Sequence, residues 1–553
     1  MRVSTGTRLR TAGVLLACSA LTTACFSGSG SDEGSASASG DEPGAVVTDA
    51  GDPVDGGVLY TAATTDAISL DPQAEASFTV HYAVGTVYNR LLAFQTGEQY
   101  EFNTNELKGD LAEEWEANDD RTEWTFHLRE GVKWQNKPPV NGREFTSKDV
   151  TCTLDRITSL PGHQIGLIGN VAKVETPDDY TVVFKLKSPQ AAFDETMANP
   201  FMVILPCEGT EGKFDLAEEA IGTGPFMLES WKKDQERVYV KNPDYFLEGL
   251  PHLDGINVTV MPDAQAQIAA LRSGKLDIIS ALSTEKNQVD QLVKQIDGLQ
   301  LVQEEGTSHT RIPLNVTKPP FDDVRVRQAV GMAIDREGMA NTIRVGGVMT
   351  AAVTPSIFGG LTEEESLEAM PYDPEAAKKL LADAGYPDGF DTTLTVTNGY
   401  GETVVREAQW VQEDLAEIGI NAEIKIDDYA TYIGDTWPTL KYDMIYGLQT
   451  PMLTADEYLT TEYTSDGTRN WYGIKDPKLD KMIAEQRTII DDTEREQAIR
   501  DIQYYILENV ASPVTLYAYN TQTILAPDVR NFWNHPDYSQ LEMEDVWLDP
   551  DAG

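Results

Sequence analysis

The chain holds many residues capable of chemistry, but they are not spaced as catalysts. Its six histidines, His81, His127, His163, His252, His309 and His535, are scattered, and none makes the paired helical spacing that holds zinc. Neither a Gly-x-Ser-x-Gly elbow, a Walker loop nor a calcium loop occurs. Adjacent carboxylates such as Glu113-Glu114 could serve as acid and base, but among 90 Asp and Glu residues adjacency says nothing about a glycosidase dyad. Gly222-Thr223-Gly224-Pro225 has the glycines of a phosphate cradle. Pro225 and the strand-like residues after it argue against the helix N-terminus that such a cradle requires. No metal or cofactor is expected. What remains is chemistry of binding, for which aromatic faces with amide and hydroxyl groups suit sugars or other neutral solutes as well as peptides.

The elements that would position them are legible from pattern. Glu123 to Leu128 alternates as a half-buried strand with Trp124, Phe126 and Leu128 on one face. Thr146-Ser147-Lys148-Asp149 is a capping box that opens a helix whose Val150, Leu154 and Ile157 share a face. Gly57 to Ala63 reads as a strand, Val80 to Leu92 as a helix and Tyr180 to Leu186 as a strand. Asp322 or Asp323 caps a helix with Val326, Ala329, Val330, Ala333 and Ile334 inward; Arg325 and Arg327 on it are read as structural, not as ligand anchors. Asp373-Pro374 starts a helix that runs to Gly385. Thr392 to Thr397, Thr403 to Ile418 and Ile420 to Ile426 alternate strand, helix, strand, which indicates an α/β lobe with parallel pairing. Glu494 to Glu508 is a late amphipathic helix, and Pro513 to Leu525 reads as strand.

Several stretches resemble the family 5 extracellular solute-binding proteins of ABC importers, the oligopeptide-, dipeptide- and nickel-binding group. LAEEWE, TFHLREGVKW and FTSKDV occur between Leu111 and Val150 in the family's order. Asn141-Gly142 stands where most relatives have Asp-Gly, after a longer approach from Gln135 to Val140, a difference confined to a loop. Ser69-Leu70-Asp71-Pro72 follows the family's "sLDP", and Gly222 to Phe226 with Trp231 and Asn242 to Phe246 follows its "GTGPY…W…NPdYW" hairpin. Ala270 to Asp277 resembles "aLqsGeiD", and Asn315 to Arg336, reading NVTKPPFDDVRVRQAVGMAIDR, is the second highly specific match. The resemblance implies an α/β fold of the periplasmic-binding-protein type II (cluster C) kind, with two lobes, a hinge and an extra subdomain. By analogy, domain I comprises 58–90, 215–308 and a return segment 485–553, domain II is 91–214, and domain III, the second lobe, is 309–484.

The N-terminus adds a location. Arg2, Arg8 and Arg10 precede the apolar run Ala12 to Ala24, which is too short for a stable membrane anchor. It ends at Leu21-Thr22-Thr23-Ala24-Cys25 and resembles a bacterial lipoprotein signal, with 1–24 removed and lipid on Cys25. Thr22 departs from the usual leucine. Cys18 fits the local pattern better but leaves the apolar region too short, so Cys25 is preferred. From Phe26 to Gly57 the chain is Ser, Gly, Asp, Ala and Pro, a tether (25–57) with a mean reach of roughly 30 Å. An extracytoplasmic, lipid-anchored protein follows as an expectation. In that exported context a Cys152–Cys207 disulfide is favoured over two separate buried thiols.

With 553 residues and 41% hydrophobic residues the chain can bury a large core. A net charge of -47 without basic stripes argues against nucleic acid as a partner. The resemblance implies capture of a small solute, peptide or peptide-like or an oligosaccharide, by a monomer that closes on it and delivers it to a membrane permease. A secreted polymer hydrolase and a surface receptor that signals are the alternatives, and no enzymatic activity is expected. In peptide-binding relatives a "GWxaDyxxP" segment supplies an aspartate for the ligand's amino group. Here the stretch from Met444 to Asp456 puts Gln449 near the tryptophan and Pro451 or Met452 near the aspartate, with Asp456 several residues too late. A buried ammonium without its carboxylate is costly, so a zwitterion held in the usual way is not expected. The resemblance places Tyr429 among the cleft residues and Trp437, Trp471, Tyr472 and Tyr517 in or near comparable segments, which with Gln449 makes them the candidate ligand residues; it places Arg311 on the connection between lobes, as the one charged candidate for an anionic group.

Overall fold

The computed structural model describes residues 46, 51–74, 77–100, 104–160, 163–280, 286–304, 306–344, 346–449, 452–533, 535–536 and 541–552. The expected signal, Cys25 and most of the tether lie outside them.

A mixed seven-stranded sheet forms the first lobe, in the order Gln300–Glu304, Thr521–Leu525, Ile278–Ser280, Val58–Ala63, Gly255–Val260, Glu236–Lys241, Phe226–Lys232. Val58–Ala63 at its centre pairs in parallel with Gly255–Val260, and the outer pairings are antiparallel. An antiparallel four-stranded sheet, Ala112–Ala117, Glu123–Leu128, Thr181–Leu186, Val171–Asp178, adds a subdomain. Its strand Glu123–Leu128 buries Trp124, Phe126 and Leu128 as the alternation requires. The helix Ser147–Ser159 starts in the expected capping box, and the structure joins its Cys152 to Cys207 with Cα atoms 5.4 Å apart.

The second lobe holds two further sheets. Gly347–Met349, Val514–Tyr519, His309–Ile312 and Gly447–Leu448 pair antiparallel. Ile420–Asp427, Phe390–Thr397 and Met444–Ile445 pair in parallel, with the helix Glu402–Glu417 as the crossover. Asp323 caps the helix Val324–Ala333, and Asp373 the helix Pro374–Asp383. Arg325 pairs with Asp323, and Arg327 donates to the carbonyls of Val510 and Phe321, so both are structural.

Two expectations fail for instructive reasons. The helix expected over Val80 to Leu92 spans only Phe78–Val84. The carbonyls of Thr86 and Val87 instead accept from the N–H groups of Phe226 and Gly224. The strand expected over Pro513 to Leu525 is two strands in two lobes, Val514–Tyr519 and Thr521–Leu525, with Asn520 between them. The chain thus returns to the first lobe at Asn520 rather than at 485: the helix Asp492–Tyr505 packs with Tyr458, Tyr472 and Ile483 in a core of the second lobe.

The outward crossing lies between Gln300–Glu304 and His309–Ile312, beside the return crossing. Tyr519 N donates to Ser308 O at 3.3 Å, and a Cβ on Gly306 would come within 2.2 Å of Tyr519 O. The close approach therefore requires glycine.

The Gly-Thr-Gly-Pro stretch also has a packing explanation. A Cβ on Gly222 would lie 1.8 Å from Val87 O, and one on Gly224 2.5 Å from Thr86 O. These glycines admit backbone, not phosphate. Gly222→Ala is expected to lower the unfolding free energy by more than about 3 kcal/mol, measured by urea titration, since backbone must move to admit the methyl.

Candidate functional site

The strand His309–Ile312 continues from the outward crossing and is buried along its whole length. Arg311 projects from it with 3% of its surface exposed. Its Nη1 donates to Glu462 Oε2 and to the Tyr472 hydroxyl, both at 2.5 Å, and the Tyr472 hydroxyl donates to Glu462 Oε2 at 2.8 Å. The other carboxylate oxygen of Glu462 accepts from Gln449 Nε2 at 2.8 Å. Gln449 is aligned by its own backbone N–H, which donates to His309 O at 2.8 Å. Glu462 lies on the π-helical turn Leu459–Tyr463, and Trp437 follows another, Tyr432–Thr436.

Aromatic rings extend the cluster. The Arg311 guanidinium lies 5.0 Å from the centroid of Trp437 and 5.6 Å from that of Tyr472, within cation–π range. Trp437 meets Trp471 edge-on at 5.6 Å and Tyr432 at 5.5 Å. Tyr432 meets Tyr400 at 6.3 Å, and Tyr400 meets Tyr429 at 5.4 Å. Tyr400 is also stacked on Phe78, which comes from the first lobe, at 6.5 Å. Gly447 makes room for this packing: a Cβ there would sit 2.3 Å from the Tyr432 hydroxyl, which donates to Tyr446 O.

Electrostatically the cluster is a closed pair. Burial alone would depress Arg311, but the charge of Glu462, backed by Tyr472, holds the guanidinium above its ordinary value. Burial pushes His309 well below the usual imidazole range and neighbouring Arg311 adds to this, so the ring is neutral. Both ring nitrogens of His309, Gln449 Oε1, Arg311 Nε and Trp437 Nε1 are buried without hydrogen-bond partners.

Six of the seven expected ligand residues thus fall on one connected network: Arg311, Gln449, Trp437, Trp471, Tyr472 and, at its half-buried outer end, Tyr429. Tyr517 does not. Although it is on the strand beside Arg311, its hydroxyl donates to Glu407 Oε1 at 2.5 Å, in a separate buried network where Arg344 Nε holds the same oxygen at 2.6 Å. Glu462, His309, Tyr400, Tyr432 and Phe78 complete the cluster without having been singled out from sequence. Among the described residues no group of His, Cys, Asp and Glu could hold a metal ion, and no helix is long and apolar enough to cross a membrane.

Two lobes joined by two adjacent crossings, with a buried aromatic and polar cluster at the join, define a hinged type II binding fold. The chain belongs to the bacterial extracellular solute-binding proteins, family 5, whose model matches residues 106–471. It is 30% identical to Di/tripeptide-binding protein 1 of Pseudomonas aeruginosa (strain UCBPP-PA14), over 79% of this chain and 84% of that one. Among solved structures it is similar to the ABC transporter-associated periplasmic binding protein DppA from Helicobacter pylori in complex with the peptide STSA: TM-score 0.78, 25% identity, 90% of this chain and 99% of that one. It is also similar to the binding protein AgaA from A. tumefaciens R10 in complex with agropinic acid: TM-score 0.79, 25% identity, 89% of this chain and 99% of that one. These relatives are binding proteins, so the chain is a solute-binding protein of the ABC-importer kind, and the hydrolase alternative is not favoured.

The Arg311–Glu462 pair yields a direct test. Arg311→Ala leaves a carboxylate buried without its cation and is expected to cost about 3–5 kcal/mol in urea unfolding. Replacing both partners by methionine should recover most of that loss.

Proposed function

We propose that this protein captures a peptide or peptide-like solute between its two lobes and delivers it to the permease of an ABC importer. The observation that carries the reading is the 30% identity to a di/tripeptide-binding protein over 79% of the chain. The likeness to a DppA structure holding the peptide STSA supports the same class. The first lobe comprises 58–304 and 521–552, including the subdomain, and the second 309–519.

In this reading Arg311, Gln449, Trp437, Trp471, Tyr472 and Tyr429 serve the ligand, and Phe78 approaches them from the first lobe. The ligand's amino group is not held as in relatives with the family aspartate. The Glu462 carboxylate is already engaged by Arg311, Gln449 and Tyr472, which offsets its charge. Tyr517 takes a supporting role behind the sheet. The chain is anchored by lipid on Cys25 at the outer face of the cell membrane and acts there as a monomer.

Calorimetry with a panel of di- to pentapeptides tests the reading. A binding peptide is expected to raise the melting temperature, by about 2.7 kcal/mol of stabilisation at one hundred times its dissociation constant, and to be recovered intact. Gln449→Ala and Tyr429→Ala should each weaken that binding by more than roughly tenfold, about 1.4 kcal/mol, with the fold retained. Cleavage of the peptide in proportion to protein would refute the binding role. For the anchor, Cys25→Ser should release the protein from membranes into the medium, whereas Cys18→Ser should not.

A further inference from the structure

Away from the hinge the lobes meet again through a face with an excess of acid. From the first lobe the short helix Phe193–Ala198 brings Asp194 and Glu195, with Asn199 after it. From the second come Asp456 and Glu457 on Ala455–Tyr458, Arg487 after Pro477–Gln486, and Asp492 and Arg495 on Asp492–Tyr505. Asn199 Nδ2 donates to Glu457 Oε2 at 2.8 Å, and Ala191 N to Arg487 O at 3.4 Å, so the contact is built and not incidental. A cavity of about 10 Å³, room for about one water, lies among Glu195, Asn199, Asp456, Glu457 and Arg487.

The charges do not balance here. Arg487 is committed to Asp456, Nε to Oδ1 at 2.9 Å, and Gln486 Nε2 donates to that same oxygen at 2.9 Å. Arg495 faces Glu195, whose acidic neighbours are Asp194, Asp456 and Asp492, and Arg121 acts on Asp194. Asp194 is turned toward Trp115 Nε1 and the backbone N–H of Glu195. Glu195 is left between the lobes, with Asp456 and Glu457 across from it.

We propose that closure of the two lobes takes up a proton at Glu195, so that acid favours the closed form. The proposal concerns the closing motion itself and holds whatever solute is bound. In the closed form burial pushes the Glu195 carboxyl up to about 7: Arg495 opposes the shift, and Asp194, Asp456 and Asp492 add to it. Separating the lobes returns the side chain to water and to its ordinary value of 4.5. Between those two values the closed form carries the proton and the open form does not. The closed population is therefore favoured below about pH 7, and the advantage is lost as pH rises through that value.

The test is small-angle X-ray scattering of the ligand-free protein at pH 6 and pH 8 and constant ionic strength, with the profiles fitted as mixtures of closed and open forms. The closed-to-open ratio of the wild type should be about tenfold higher at pH 6. Glu195→Gln, which carries the neutral group permanently, should hold the pH 6 ratio at both values, and circular dichroism would verify that it is folded. A wild-type ratio that does not change with pH, or a pH dependence that survives in Glu195→Gln, overturns the proposal.

Discussion

Two strands crossing side by side are the constraint on which the rest of this structure depends. Each lobe contributes a sheet, and each sheet is completed by a strand continuous with one in the other. The crossings are held together where Tyr519 N meets Ser308 O and Gly306 lies against Tyr519. The lobes can rotate only by dihedral changes in a few residues of these paired segments, the usual anatomy of a hinge. Arg311 and Gln449 sit within a few residues of that axis or across one strand from it, where rotation displaces them least. The groups that move most are those far from it, such as Glu195 and Asn199.

Electrostatics follow a matching division. The chain carries 90 acidic against 43 basic residues, an excess that costs little wherever it faces water. Inside, three arginines are buried with a carboxylate, Arg311 with Glu462, Arg344 with Glu407 and Arg237 with Asp66, while Arg327 and Arg336 are held by backbone carbonyls. Such pairs contribute less to stability than to geometry, because the desolvation of both ions offsets most of their attraction. What they fix is which side chains may stand beside them. Tyr472 and Gln449 are held by the first pair and Tyr517 by the second, so two tyrosines on the same side of the hinge belong to separate networks.

Much of the fold was legible in the sequence wherever its causes are local. The strand Glu123–Leu128 and the helix that opens at Thr146 carry their alternation and cap within a dozen residues, and they form as read. The parallel pairing of Phe390–Thr397 with Ile420–Asp427 follows from the helix between them. The break at Asn520 was not legible, because both halves alternate as strand and no local residue records that they enter different sheets. Likewise Val80 to Leu92 has helical periodicity, but its second half is claimed by the N–H groups of Gly224 and Phe226, more than 130 residues on. The cluster around Arg311 was half legible: the family resemblance points to its aromatics, Gln449 and Arg311. Glu462 is 151 residues from Arg311 in a chain crowded with carboxylates and carries no local sign of its role.

All the polar members of the cluster, Arg311, Gln449, Glu462 and Tyr472, come from the chain between the two crossings, that is, from one lobe. If these residues serve the solute as proposed, recognition can be complete before the lobes move. A solute would first meet a finished surface, at a rate governed by diffusion and by how much of the time that surface is uncovered. Phe78 and the acid-rich contact, arriving afterward from the other side, would govern only how long the visitor stays. On that proposal encounter and residence fall to different parts of one chain, and selection on either can proceed without rebuilding the other.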